Sequence, residues 1–201
     1  MKSIPATFSL LLLCLLLCGC GPVASLFGLY TPEDKFVDQK LVGEWKQVSP
    51  PGEDSPDEKL GRWVFQLGKD SQTYSVTLMS LDKPGSWRAD ARLVRLGDFE
   101  FVDFTASSDA LNSETSAVPF PSVPVHMIGR IWIESGRVKI HFLADDWVKA
   151  QVKAGSLALP HIVKEGDPIL LAPTEELRKF ALEHAEDKEA FTENYELVRV
   201  D

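Results

Sequence analysis

From Leu41 to the end of the chain, apolar and polar residues alternate in short runs. A period of two is the mark of half-buried strands. The pattern predicts strands at Val42–Val48, Arg62–Leu67, Thr73–Ser80, Trp87–Leu96, Phe99–Ala106, Val125–Glu134, Arg137–Ala144, His161–Lys164, Ile169–Ala172 and Tyr195–Val200. Lys83-Pro84-Gly85-Ser86 places Pro and Gly where a type II turn needs them.

Two hairpins can be set in register. With Gly97-Asp98 as a two-residue loop, Arg95 faces Glu100 and Arg92 faces Asp103, while Leu93/Val102 and Val94/Phe101 make apolar pairs. With Ser135-Gly136 as the loop, Glu134 faces Arg137, Ile133 faces Val138 and Ile131 faces Ile140. One face of this second hairpin is apolar throughout (Met127, Ile131, Ile133, Val138, Ile140, Phe142) and is expected to enter the core. The other carries Arg130, Trp132, Lys139 and His141 beside Ile128 and Leu143.

Two helices interrupt the strands. Asp145-Asp146 is expected to cap Trp147–Ala154, with Gly155 as its stop. Thr174 is expected to cap Glu175–Ala185, whose apolar stripe is Leu177, Phe180 and Ala181 with His184 one turn on. Near Gly97 the sheet is apolar on both sides, with Leu93 and Val102 on one and Val94, Leu96, Phe99 and Phe101 on the other. A barrel wall can bury one side and the late helix the other. The fold class expected is therefore mainly β: an antiparallel barrel or strongly curved sheet with two short helices in the C-terminal half. Leu41-Val42-Gly43-Glu44-Trp45 adds to this. It resembles the Gly-x-Trp motif that opens the first strand of lipocalins, and the element order is similar. That resemblance implies a Trp45 that plugs one barrel end and a domain that binds a small apolar ligand.

The N-terminus has a different pattern. Lys2 precedes an apolar run from Phe8 to Leu17 broken only by Ser9 and Cys14. That is the layout of an export signal, too short to span a bilayer, which takes about 20 apolar residues. It ends in Leu17-Cys18-Gly19-Cys20. This resembles the lipobox of bacterial lipoprotein precursors. The resemblance implies cleavage before Cys20, a diacylglycerol thioether on its sulfur and an acylated amine. The residue that follows is Gly21 rather than the Asp that retains enteric lipoproteins at the inner membrane. By resemblance the destination is the outer membrane, facing the periplasm. The organisation expected is a signal peptide (1–19), a lipidated tether (20–38) punctuated by Pro22, Gly28 and Pro32, and one β-rich domain (39–201). The tether also holds Leu26, Phe27, Leu29 and Tyr30, which are expected to pack on the domain or rest at the bilayer surface.

Cysteine count fits the anchor. All three cysteines lie within the first 20 residues, so cleavage leaves only the acylated one, and neither a disulfide nor a thiolate metal site is available. The net charge of −9 repels phosphate backbones and anionic head groups. Nucleic acid is excluded as a partner on that ground, and attachment falls to the lipid.

No nucleophile elbow, His-Glu-x-x-His, P-loop, dinucleotide fingerprint or calcium loop occurs in the sequence. His126, His141, His161 and His184 lack metal-ligand spacing. No cofactor, metal or catalytic residue is assigned. The second hairpin offers the candidate ligand-binding residues. Its register sets Arg130 opposite His141, and its extension sets His126 opposite Asp145 on the same, solvated face. Arg with His can bind an anion, and a His–Asp pair can orient a base. Three classes follow: a binding module for a small apolar or amphipathic ligand, an envelope protein–protein interaction or structural lipoprotein, and an enzyme built on His126, Asp145 and Arg130. The lack of a catalytic motif favours the first two.

Overall fold

The computed structural model describes residues 22–33, 35–49, 61–79, 86–107 and 123–200. Residues 1–19, expected to be an export signal, Cys20 and residues 83–85 of the expected type II turn lie outside the described residues. The strands are β1 (Ala24–Ser25), β2 (Lys35–Phe36), β3 (Gly43–Val48), β4 (Arg62–Leu67), β5 (Tyr74–Met79), β6 (Ser86–Leu96), β7 (Phe99–Ala106), β8 (His126–Glu134), β9 (Arg137–Leu143), β10 (His161–Lys164), β11 (Asp167–Leu170) and β12 (Phe191–Arg199). The helices are α1 (Asp145–Ala154) and α2 (Thr174–Glu183).

Eight of these strands close an antiparallel barrel. Strands β3 to β9 pair in chain order, and β12 enters between β9 and β3 to complete the ring. Both hairpin registers expected from the turns are present. Arg95–Glu100, Arg92–Asp103, Leu93–Val102 and Val94–Phe101 are partners across β6 and β7. Ile131–Ile140, Ile133–Val138 and Glu134–Arg137 are partners across β8 and β9. Arg95 donates to Glu100 at 2.6 Å.

Alternation sorts side chains into two cores. Inside the barrel, Trp45, Trp63, Phe65, Tyr74, Leu93, Val102, Phe104, Ile131, Ile140 and Phe142 form one buried cluster. These large side chains occupy the barrel axis in ring contact, stacked in Trp63–Phe65 and tilted in Phe104–Phe142, with centroids 6.1 and 5.6 Å apart. A 3-10 turn at Gln39–Leu41 closes the end where β3 begins, and its Leu41 is fully buried. Trp45 sits beneath it and donates from its indole to the Leu41 carbonyl at 2.8 Å. The Arg199 guanidinium lies 4.5 Å from the Trp45 ring and donates to the carbonyls of Val42 and Lys40. Tyr74 joins this end to the wall by taking the Asp38 N–H at 2.8 Å. Burial pushes its phenol up to about 12.

The second core lies outside the barrel. Val94, Leu96 and Phe101 on the outer face of β6 and β7 pack with Leu177, Phe180 and Ala181 of α2, as the two-sided apolar pattern required. Two capping expectations are corrected. Asp145 and Asp146 sit in the first turn of α1 behind Ala144, which makes no side-chain cap. Their charges favour the positive helix end from there. Thr174 is the first residue of α2 behind Pro173. Its hydroxyl donates to the Gly28 carbonyl at 2.9 Å, so it fastens the N-terminal segment instead of the helix.

That segment is woven into the fold. β1 pairs with β8 on one side and with β11 on the other, and β10 continues the flap as its edge. Leu29 is fully buried, and Phe36 and Lys35 add β2 to the far half of β6. Of the four apolar residues expected to pack on the domain or rest at the bilayer surface, Leu29 and Tyr30 pack into the second core, whereas Phe27 is 44% exposed.

Candidate functional site

The outer face of β8 presents His126, Ile128, Arg130 and Trp132 in alternation, and the structure separates the four candidate residues into three places. Arg130 and His141 are register partners across β8 and β9, as expected. His126 and Asp145 do not meet. The pairing of β8 with β9 ends at Gly129–Phe142, and the N-terminal segment enters the opening beyond it. There Ser25 pairs with His126, and Pro22 bridges Ala144. Asp145 is left at the start of α1, in an ion pair with Lys149 that also takes in Asp167.

His126 has another carboxylate. Its Nδ1 lies 2.7 Å from Asp103 and 3.1 Å from the Thr105 hydroxyl. Asp103 is wholly buried and also accepts the Leu29 N–H at 2.6 Å. Gly28 is required here, because a Cβ on it would sit 2.9 Å from both the Asp103 carboxylate and the His126 ring. The face expected to be solvated is therefore covered, and the His126–Asp103 pair serves to pin the segment that covers it. The alternation places Asp103 on this face, but the covering strand β1 is only two residues long and leaves no periodic signal.

Arg130 and His141 stay open to a groove of about 520 Å³ between the barrel flank and the 185–192 connection. Phe99, Trp132, Lys188 and Asn194 also line it. The Arg130 side chain lies among three aromatic rings, with its guanidinium carbon 4.5 Å from the Phe99 centroid, 4.7 Å from Trp132 and 5.4 Å from Phe101. It donates to the Ala185 carbonyl just past α2, where the helix dipole favours a cation. Its Nε has no hydrogen-bond partner among the described residues, although the residue is only 7% exposed. Burial draws the guanidinium below its ordinary value, and the charge of Glu186 acts the other way. The group nevertheless stays charged.

His141 stacks on Trp132 at 4.7 Å. Its pKa is lowered, first by burial, against a backbone hydrogen bond at Phe191, and further by Lys139 and Arg130. The imidazole is thus neutral where a free histidine, at about 6.5, begins to charge. The unfolded chain takes up that proton more readily than the fold. Stability is expected to fall as pH drops through and below about 6.5, by linkage. His141→Gln should reduce the difference in denaturation midpoint between pH 7.5 and pH 5.5, each taken as roughly one unit either side of that value.

His184 belongs to packing: it stands against Phe180 and Trp147, at 4.6 and 4.9 Å. Trp45 and Trp63 are in the barrel core, whereas Trp87 and Trp132 are each 36% exposed. Among the described residues no three His, Cys, Asp or Glu side chains form a group that could hold a metal. Comparison with protein-family models and with curated proteins gives no match.

Proposed function

We propose that this chain is an exported lipoprotein, anchored through Cys20 and destined for the outer membrane, whose domain is a non-catalytic binding module for a small anionic amphipath. The lipobox-like run before Cys20 supports the address. One observation carries the binding reading: Arg130, a buried cation whose Nε has no hydrogen-bond partner among the described residues, lines an aromatic groove. A charge taken out of water is costly unless hydrogen bonds and an opposite charge compensate it. The Ala185 carbonyl supplies one bond. An anionic head group in the groove would supply the opposite charge, with Lys188 as a second cation on a wall that also carries Glu186 and Asp187. Trp132 and Phe99 offer flat apolar surface for the ligand's body. The volume falls within the range of about 300–1,000 Å³ usual for small-molecule sites. The resemblance to lipocalins supports a binding role, and the aromatic packing inside the barrel favours a site on the outer wall.

Decanoate is a suitable probe and decanol its uncharged control. Calorimetric titration of the chain lacking residues 1–20 is expected to show decanoate binding and much weaker decanol binding. Arg130→Lys keeps the charge but loses the planar fork. It should weaken decanoate at least about tenfold, the scale of one charge-assisted hydrogen bond. Equal affinity for acid and alcohol, or an unchanged Arg130→Lys variant, would contradict the reading.

A further inference from the structure

We infer that the β1–β11–β10 flap rests on the bilayer, with the edge strand β10 at head-group level, so that the domain is docked on the membrane rather than hung from a tether. This rests on the proposed lipid at Cys20. Pro22 is fixed in the fold by its bridge to Ala144, and the Val23 N–H donates to the Leu143 carbonyl at 3.2 Å. Only Gly21 separates Cys20 from Pro22. Two residues span at most about 7 Å. Whatever surrounds Pro22 therefore meets the lipid surface. Pro22 shares a cleft with Lys164, Glu165 and Asp167, at the turn that joins β10 to β11.

The adjoining strand is built for such a surface. β10 is the outer edge of the sheet order, and its Ile162 and Val163 are 48% and 53% exposed. An exposed apolar edge strand is a template for aggregation in a protein surrounded by water, which soluble proteins blunt with charge, proline or cover. Here the apolar pair is flanked by His161 and Lys164. Apolar residues with a polar border are the composition of a segment that settles at the head-group boundary. The opposite wall of the barrel differs. Strand β4 stands four strands away from β8 in either direction round the ring, and its Gln66 is exposed.

Depth-dependent quenching tests this on the full lipidated chain. Cys20 is acylated under the proposal, so a cysteine placed at Val163, Ile162 or Gln66 can carry a fluorescent label uniquely. The labelled proteins are reconstituted into phosphatidylethanolamine–phosphatidylglycerol vesicles in which part of the lipid is brominated near the head-group end of its acyl chains. Labels at Val163→Cys and Ile162→Cys are expected to be quenched about twofold, as befits groups within about 5–10 Å of the head-group–acyl boundary. The label at Gln66→Cys should be unaffected. Acylated protein with no quenching at 162 and 163 would overturn the docked geometry and leave the anchor standing; the edge would then be open to a protein strand. Intact mass showing Cys20 without lipid would overturn the anchor and the docking together.

Discussion

Leu93→Ala is expected to destabilise the fold by about 2–5 kcal/mol, the range for truncating a large aliphatic side chain in a close-packed core. Leu93 is fully buried on the inner face of β6, beside Val102 and within the aromatic cluster that fills the barrel. Trp45, Tyr74 and Phe65 of the same cluster are held by their own hydrogen bonds and ring contacts, so little can move into the space. Val94→Ala, one residue on, should also destabilise, because Val94 is buried on the outer face under α2. Chemical denaturation of the two variants measures both. A negligible loss at Leu93 would mean that the barrel is loosely filled. A negligible loss at Val94 would mean that α2 does not cover that wall.

Asp103→Ala should cost about 2–4 kcal/mol, since each buried donor that loses its acceptor carries a penalty of about 1–3 kcal/mol. The donors in question are the Leu29 N–H, at 2.6 Å, and His126 Nδ1, at 2.7 Å. Asp103→Asn keeps an acceptor for one of them and should lose less. The effect is expected to be local. Hydrogen exchange should rise first at Leu29 and its neighbours, because Asp103 is one of the clamps on that stretch, together with Thr174 on the Gly28 carbonyl. Exchange spread evenly over the barrel would contradict the pinning role. His126→Ala is expected to be costly for the same reason, although its alternating position on β8 suggests a wet surface.

The barrel was legible because its information is local and periodic. Arg62–Leu67 and Phe99–Ala106 have the boundaries that alternation predicts, and two-residue turns at Gly97-Asp98 and Ser135-Gly136 fix register without reference to anything distant. The coverage of the barrel was legible only where it comes from a helix. α2 announces itself by the stripe Leu177, Phe180 and Ala181. The segment that covers His126 and Asp103 consists of a two-residue strand, a glycine approach and a few backbone hydrogen bonds, none of which has a period. That is why Asp145 stood out as the partner of His126. Extending the hairpin register past Gly129 assumes that β9 continues beside β8, and Pro22–Ser25 takes its place.

The site divides the same way. Arg130 and His141 share a face by register alone, so their pairing follows from the Ser135-Gly136 turn. What turns the pair into a groove is the 185–192 connection, through Ala185 and Lys188, which no alternation on β8 or β9 foretells. Arg199 is a further case. As one basic residue on the last strand it has no pattern around it, yet the closed ring brings it over Trp45.

The proposed binding mode is tested most directly by a crystal structure of the domain grown with decanoate. Carboxylate density is expected within hydrogen-bonding reach of Arg130, about 2.7–3.2 Å. The alkyl chain should lie along Trp132 and Phe99, with the barrel axis still filled by Trp63, Phe65 and Phe104. Density for the acid inside the barrel, or saturating decanoate that leaves the Arg130 groove empty, would contradict it.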